Sequence, residues 1–240
     1  MVGQGFVDQR YKRVKEYDTP VSQMTERPVT KLPAVENVKY KEVVTINVAM
    51  LFCDIKGYTK LVTEASDPKT VARIMTIYVT EMAAAIREHG GTILSIRGDG
   101  LIGTFVDGDR NASTEAVRCA VTMNTILDYV VNKQLKSFKQ ESLVCHWGAD
   151  SGRIKITRAG LYRENMNDLV YIGDAINHAS KFSVLAQGNQ IAISEKMHNR
   201  IDNEFKKSDS PWEWTPERDT VLGKYYTNEV NQWKNTQEPN

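Results

Sequence analysis

The sequence of residues 43–106 predicts a buried strand, a long helix and a tight hairpin in direct succession. Residues 43–54 are rich in β-branched and aromatic side chains, which is typical of a buried strand. Residues 67–89 carry apolar side chains at helical spacing. Residues 92–106 contain two apolar runs separated by Gly98-Asp99-Gly100, which is a strong hairpin signal. A chain with this core has to combine a sheet with helices packed against it.

The following residues continue the alternation of helices and strands. A second amphipathic helix is predicted over about 113–133. Its predicted apolar face consists of Ala116, Ala120, Met123, Leu127 and Val130. The later predicted elements are strands near 143–149 and 153–158, a helix over about 174–186, a strand at 190–193 and a short helix near 195–201. Helices interleaved with hairpins predict an α+β fold of ferredoxin-like type, with an antiparallel-rich central sheet and flanking helices.

The predicted organisation has three parts. Residues 1–42 are polar, contain three prolines and show no sustained periodicity, which predicts an irregular N-terminal arm. Residues 43–202 contain the predicted elements of one domain. Residues 203–240 are expected to be an extension that packs on this domain, with only a weak strand predicted near residues 221–226.

Composition and charge exclude several classes of protein. The 240 residues are 41% hydrophobic and 25% charged, which is the balance of a globular chain. The net charge of +1 gives no reason to expect a nucleic acid or an anionic membrane as partner. No stretch has the roughly 20 apolar residues of a membrane span, and the N-terminus lacks a secretory signal. Cys53, Cys119 and Cys145 are odd in number and far apart, which indicates reduced thiols in a cytoplasmic protein.

Two aspartates lie at strand boundaries in unusual settings. Asp54 ends the first apolar strand, in FCDIKGYT, and Asp99 lies in the hairpin turn, in IRGDG. If the two strands are neighbours, both carboxylates project from one edge of the sheet, where they repel and raise each other's pKa. A divalent cation removes that cost, and Mg²⁺ or Mn²⁺ suits an all-oxygen site shared with phosphates. Taken singly, Asp99 is also explained as a turn residue and Asp54 as a surface cap.

A glycine turn, Gly57-Tyr58-Thr59, follows Asp54 closely. A glycine turn that opens toward a helix presents backbone N–H groups to anions. This arrangement predicts that triphosphate oxygens bind beside the metal. The same combination of residues also occurs in ordinary turns, so the prediction depends on the neighbouring aspartate.

A third group of polar residues lies in IGDAINHASKF, residues 172–182. Asn177 and Lys181 are four residues apart and therefore share one face of the predicted helix. A paired amide and ammonium could orient a ribose and neutralise a phosphate. Without the other motifs, an ordinary solvated helix face explains this pair better.

Four segments together resemble the catalytic domain of class III adenylate and guanylate cyclases. They are LFCDIKGYTKL (51–61), GGTILSIRGDGLIGTF (90–105), WGADSGRIKI (147–156) and LVYIGDAINHASKFS (169–183), followed by QIAIS (190–194). Any one motif is weak, but four in the family's order with consistent spacing are a strong signal. The resemblance implies an enzyme that converts a nucleoside triphosphate into a 3′,5′-cyclic nucleotide and pyrophosphate. It identifies residues 43–202 as a nucleotidyl cyclase catalytic domain.

The resemblance also implies how the site is built, namely in the interface of a head-to-tail homodimer. Asp54 and Asp99 would be the metal carboxylates, and the Ile55 carbonyl a further ligand, for two divalent cations, Mn²⁺ or Mg²⁺. Asn177 of the partner subunit would position the ribose. Lys181 stands where the family usually has an arginine that stabilises the transition state. Lysine is a point charge and not a bidentate fork, so Lys181 departs from the family's pattern in chemistry as well as in identity.

The predicted base pocket departs from the purine cyclases of the family. Ser95 and Val170 occupy the positions that usually recognise adenine or guanine, so both usual side chains are missing. Arg97 replaces an apolar residue on the same strand face as Ser95, and Tyr58 replaces a phenylalanine. These features resemble the Pycsar pyrimidine cyclases of bacterial anti-phage defence, which make cyclic UMP or cyclic CMP. Arginine offers only donors and uracil offers two carbonyl acceptors, so UTP is the predicted substrate.

Other interpretations stay open from the sequence alone. The enzyme could act on CTP, ATP or GTP, or the domain could be an inactive cyclase-like module that binds a nucleotide. The presence of Asp54, Asp99 and Asn177 together argues against the inactive module. A phosphatase of the haloacid dehalogenase type needs a second aspartate where Lys56 stands. The sequence also contains neither the aromatic-rich strands of an RNA-binding sheet nor the GGDEF-like turn of a diguanylate cyclase.

Overall fold

The computed structural model describes residues 3–65, 67–161, 166–206 and 212–229 of the chain. The strands are β1 (Thr25–Pro28), β2 (Glu42–Ile55), β3 (Thr92–Arg97), β4 (Gly100–Val106), β5 (Cys145–Leu161), β6 (Met166–Ile172), β7 (Gln190–Ser194), β8 (Thr215–Asp219) and β9 (Gly223–Glu229). The α-helices are α1 (Gln4–Tyr17), α2 (Tyr58–Glu64), α3 (Pro68–Glu88), α4 (Ala112–Ile126), α5 (Asn132–Ser137), α6 (Asp174–Leu185) and α7 (Glu195–Arg200). The chain forms two compact units, a larger one within residues 47–154 and 173–240 and a smaller one within residues 1–46 and 155–172.

The sheet of the larger unit has the strand order β3-β4-β2-β5-β7-β9-β8. β2 and β3 both pair with β4 in antiparallel fashion, and Cys53 lies opposite Leu101 in the first of these pairs. β7 is parallel to β5 and antiparallel to β9. The predicted α+β fold, with an antiparallel-rich sheet and flanking helices, is confirmed.

Helix α3 supplies much of the apolar core of the larger unit. Its first turn is capped by Asp67, whose carboxylate accepts the backbone N–H of Lys69 at 2.9 Å. Tyr78 and Met82 of this helix are completely buried in the same core as Trp147 of β5. Burial of a side chain such as that of Met82 contributes about 2 kcal/mol to the free energy of unfolding.

The second predicted helix contains a π-helical turn. α4 is followed directly by this turn, Leu127–Val131, and then by α5. The additional residue in the turn rotates the following side chains about the helix axis, so Val131 is completely buried while Val130 is 53% exposed. The prediction that Val130 lies on the apolar face is therefore wrong. The same rotation brings the Asn132 side chain to Leu143, with whose backbone it exchanges two hydrogen bonds of 2.9 and 2.7 Å.

Strand β5 is one continuous strand, although the sequence predicted two strands near 143–149 and 153–158. Its middle contains polar residues. Asp150 and Ser151 are in fact buried, and Asp150 accepts hydrogen bonds from the larger unit that make its burial possible. β6, which the sequence did not predict, pairs antiparallel with the end of β5 in the smaller unit.

The smaller unit has regular structure where an irregular arm was predicted for residues 1–42. α1 lies in this segment, and β1 pairs in parallel with the beginning of β2. The Arg27 guanidinium donates to the Glu42 carboxylate at 2.6 Å, and this hydrogen bond holds the pKa of Glu42 below its usual value. Helix α1 contains no buried residue, and Val7, Tyr11 and Val14, which are at helical spacing, are exposed.

The C-terminal segment adds a hairpin to the sheet of the larger unit. β9 includes part of the weak strand predicted near residues 221–226, and it pairs with both β7 and β8. The Trp214 indole N–H donates to the Phe205 carbonyl at 2.8 Å, which ties the segment before β8 to the region after α7. Residues 207–211 and 230–240 of the predicted extension lie outside the described residues. Among the described ranges, no helix combines the length and the apolar character that a bilayer crossing requires.

Candidate active site

The structure brings Asp54 and Asp99 together. Asp54 lies near the end of β2, and Asp99 lies in the turn between β3 and β4, next to β2 in the sheet. The backbone N–H of Ile55 donates to the Asp99 carboxylate at 3.1 Å. Burial raises the pKa of the half-buried Asp54 carboxyl from 3.8 to about 7, and the hydrogen bond to Asp99 and its charge add to this shift. The predicted repulsion between two carboxylates at one sheet edge therefore occurs here.

The donor set of this pair fits a divalent cation that also binds phosphates. Mg²⁺ and Mn²⁺ prefer oxygen ligands, and Mg²⁺ sites commonly use only one or two carboxylates plus substrate oxygens. Asp54, Asp99 and the Ile55 carbonyl provide such oxygens. The raised pKa of Asp54 means that ionisation of its carboxyl is unfavourable, and a bound cation would offset this. Within the described part of the chain, no group of three or more His, Cys, Asp or Glu side chains is arranged so that it could hold a metal ion.

The raised pKa of Asp54 predicts that metal affinity depends on pH. A cation needs the ionised carboxyl, whose population rises about tenfold between pH 6 and pH 8 for a pKa of about 7. The Mn²⁺ affinity, measured by calorimetry, should increase by about the same factor over this range. In Asp54→Asn the affinity should be low at every pH. An equally steep pH profile in this variant would show that another group controls the titration.

The same carboxyl also affects stability without metal. Because the pKa of Asp54 is higher in the folded chain than its ordinary value of 3.8, the protonated form stabilises the fold at low pH. This contribution is lost as the pH rises through about 7. Thermal unfolding of the metal-free protein should therefore show a lower Tm at pH 8 than at pH 6, and added Mn²⁺ should reduce the difference.

The predicted glycine turn connects β2 to α2. Gly57 has a φ of +80°, in the left-handed region that favours glycine, and α2 begins at the next residue. The N–H groups of a first helical turn have no carbonyl partner within the helix. A side chain at Gly98 would lie 3.8 Å from the Tyr58 ring, so this ring is close to the hairpin turn that holds Asp99. The turn Gly57-Tyr58-Thr59 is thus adjacent to the carboxylate pair.

Tyr78 connects the two chain segments that hold the carboxylates. Its hydroxyl donates to the Asp99 carbonyl at 3.3 Å and lies 3.1 Å from the Cys53 sulfur, one residue before Asp54. The side chain is completely buried, and burial is the main reason why its pKa is well above the usual value. The sequence indicated Tyr78 only as an apolar helix position. A tyrosine among aliphatic core positions was the available signal, because a buried hydroxyl needs a partner.

Ser95 and Arg97 lie on the same face of β3. The pairing with β4 shifts by one residue between Ile93 and Ser95, and from Ser95 onward it is regular. Ser95 is half-buried, whereas Arg97, opposite Gly100 at the end of the hairpin, is exposed. The two side chains that were assigned to the base pocket therefore project from one strand surface.

Val170, the third residue assigned to the base pocket, lies on β6 in the smaller unit. It pairs with Thr157 of β5 and its side chain is 42% exposed. Its part in base recognition stays a prediction.

Asn177 and Lys181 lie on the exposed face of α6, four residues apart as predicted. The opposite face of this helix is buried and includes Ala179 and Phe182. The backbone N–H of Leu222 chiefly lowers the pKa of Asp219, and the positive charge of Lys181 adds to this shift. The Lys181 ammonium is therefore within electrostatic reach of an acidic group on the β8–β9 turn.

The model of the adenylate and guanylate cyclase catalytic domain matches residues 40–213. The chain belongs to this family. The assignment of residues 43–202 as the catalytic domain and of 203–240 as an extension stays a prediction.

Individual relatives agree with the family assignment. A uridylate cyclase from Burkholderia cepacia is 28% identical over 176 residues, which cover 72% of this chain and 74% of the relative. An adenylate cyclase from Anabaena cylindrica is 30% identical over 168 residues, covering 68% of this chain and 32% of the relative. The crystal structure of the adenylyl cyclase CyaB from P. aeruginosa has a TM-score of 0.68 at 20% identity, covering 78% of this chain and 95% of that one. The last comparison shows that the fold is shared.

Proposed function

We propose that the chain converts UTP into cyclic UMP and pyrophosphate at two composite sites of a homodimer. The observation that supports cyclisation most strongly is the contact between Asp54 and Asp99 beside the glycine turn at Gly57, in a chain of the cyclase family. The uridylate cyclase from Burkholderia cepacia and further uridylate cyclases among the relatives support a pyrimidine substrate. The resemblance to Pycsar cyclases extends the proposal to a second messenger in anti-phage defence.

In this mechanism the 3′-hydroxyl of the ribose loses its proton to solvent and its oxygen forms a bond to the α-phosphorus. The bond from the α-phosphorus to the bridging oxygen breaks, and pyrophosphate leaves. Asp54, Asp99 and the Ile55 carbonyl would hold two divalent cations, which supply Lewis-acid activation of the 3′-hydroxyl and neutralisation of the triphosphate charge. The N–H groups at the beginning of α2 bind triphosphate oxygens. Asn177 of the partner subunit orients the ribose, and Lys181 of the partner subunit adds positive charge near the transition state.

Recognition of the base rests on Ser95, Arg97 and Val170. Val170 offers no polar side-chain group, so a purine edge would lose a usual partner, and an unpaired buried polar edge costs about 1–3 kcal/mol. The Arg97 guanidinium offers donors only. Uracil presents carbonyl acceptors at O2 and O4, whereas cytosine presents an amino donor at C4 that an arginine does not accept. UTP is therefore the favoured substrate.

The proposed function is tested by incubating the pure protein with Mn²⁺ and each of the four nucleoside triphosphates separately. Mass spectrometry of the products should identify cyclic UMP as the main product. A preference for ATP or GTP would contradict the proposed base recognition but leave the cyclase assignment in place. Nucleotide binding without any cyclic product would instead establish an inactive cyclase-like module. This module is the second candidate function, because Lys181 stands in place of the family's arginine.

Replacing Arg97 by alanine should change the base preference more than the metal requirement. Loss of the guanidinium removes donors to uracil, so kcat/KM for UTP should fall about 10- to 100-fold while the Mn²⁺ dependence stays the same. Arg87→Ala is a matched control, because Arg87 is an exposed arginine in the last turn of α3. If Arg97→Ala kept the same preference among the four nucleotides, Arg97 would have no part in base recognition.

A further inference from the structure

Helix α6 touches the sheet through its backbone. A side chain at Gly148 of β5 would lie 2.1 Å from the carbonyl oxygen of Ala179 and 2.1 Å from the backbone nitrogen of Ser183. No side chain fits between this strand and the helix. The contact sets how closely α6 approaches β5, but one contact with a flat glycine surface does not prevent the helix from turning about its axis or sliding along the strand.

A second contact lies two residues further along β5. The Asp150 side chain is buried, with 3% of the residue exposed, and Nδ1 of His178 on α6 lies 3.0 Å from its Oδ2 atom. The other carboxylate oxygen accepts the Ser194 hydroxyl at 2.5 Å and the Ser151 N–H at 2.7 Å. A buried carboxylate requires hydrogen-bond donors. The imidazole N–H of His178 is a donor to the Asp150 carboxylate that β5 itself does not supply.

His178 follows Asn177 directly and precedes Lys181 by three residues. We propose that His178, held by Asp150, is a positioning residue that fixes the rotation and register of α6 and thereby places Asn177 and Lys181 in the site. The proposal rests on the proposed function. It assigns to His178 no contact with the nucleotide. A displacement of about 1 Å in such an arrangement can cost about 100-fold in rate.

Two substitutions with the same number of side-chain heavy atoms distinguish the effect of the hydrogen bond to Asp150 from the effect of side-chain volume. His178→Asn keeps an N–H donor at the place of Nδ1, because both atoms are bonded to Cγ, whereas His178→Leu keeps volume but donates nothing. His178→Leu should lower kcat about 10- to 100-fold, with the Mn²⁺ requirement unchanged, and His178→Asn should retain most of the wild-type kcat. His146→Leu, at a half-buried histidine of β5, controls for the loss of an imidazole.

Dimers formed from two different variants test whether His178 acts through α6. General destabilisation of the fold would not make recovery depend on which second variant is added. If His178 acts through Asn177, His178→Leu should gain activity when mixed with Asp54→Ala, since one of the two sites then combines an intact carboxylate pair with an intact α6. It should gain none with Asn177→Ala, because both sites of that dimer contain a damaged α6. Equal recovery with both partners, or a wild-type kcat in His178→Leu, would overturn the proposal.

The outcomes also separate this proposal from the proposed function. Absence of turnover by the wild-type chain would overturn both. Normal wild-type turnover together with wild-type activity of His178→Leu would overturn only the role of His178. If His178→Leu does not fold, as judged by circular dichroism, His178→Asn decides: a folded His178→Asn protein with the large loss of kcat contradicts positioning by the Asp150 hydrogen bond.

Discussion

Asp54→Ala and Asp99→Ala should each abolish cyclisation, lowering kcat by about a thousandfold or more. The two carboxylates form one site at the junction of β2 with the β3–β4 turn. The described residues contain no cluster of three acidic, histidine or cysteine side chains that could take over the cation. In the proposed mechanism the cations activate the 3′-hydroxyl and neutralise the triphosphate, and the loss of these effects would cost several kcal/mol.

The folded state should survive both substitutions. Ionisation of Asp54 is already unfavourable in the fold, as its pKa of about 7 shows, so alanine removes a cost at neutral and higher pH. The measurements are cyclic nucleotide by mass spectrometry, Mn²⁺ binding by calorimetry and Tm by circular dichroism. Asp109→Ala, at an exposed aspartate after β4, is the control and should keep its activity. Normal turnover by either site variant would refute the assignment of the metal ligands.

Mixing two inactive variants should restore activity. In the proposed homodimer the carboxylate pair comes from one chain and Asn177 from the other. Asp54→Ala and Asn177→Ala are each expected to have lost nearly all turnover as pure proteins. A heterodimer of the two contains one site with both defects and one site with none, so about half of the sites in such dimers are intact.

With free exchange of subunits at equal concentrations, half of the dimers are mixed, and activity should reach about a quarter of the wild-type value per chain. The measurement is cyclic nucleotide formation before and after mixing, with exchange followed by mass spectrometry of differently tagged chains. A mixture of Asp54→Ala with Asp99→Ala is the control, because both of its sites remain defective. No recovery, despite demonstrated exchange, would show that each site is built from one chain.

The elements that the sequence predicted correctly are those with a strong apolar period or a specific turn. β2, α3 and the hairpin around Asp99 follow from β-branched content, helical spacing and a D-G turn, and all three lie where they were expected. These elements hold Asp54 and Asp99, so the proximity of the two carboxylates could be derived from local patterns and one assumption about strand order.

The elements that the sequence did not predict have patterns that depend on distant partners. β5 contains the buried Asp150 in its interior, and two of its hydrogen-bond partners, Ser194 and His178, lie far along the chain. Helix α1 buries no residue, and the helical spacing of Val7, Tyr11 and Val14 is a weak signal among the many polar residues of the segment. For the same reason Tyr78 and His178 were not assigned to the site, since a single sequence shows which groups need partners but not where the partners lie.

The π-helical turn has a consequence for comparing this chain with its relatives. A π turn contains one residue more than the α-helical turn it replaces. A relative whose helix is regular in this region is therefore shorter by one residue between Leu127 and Val131, even where the two folds superimpose on both sides. An alignment that places the gap in the loop before β5 would shift Asn132 and Leu135 by one position, and a buried position would be matched to an exposed one. A gap placed within the turn keeps equivalent side chains aligned. This includes the residues at the start of β5, the strand that contains Gly148 and Asp150.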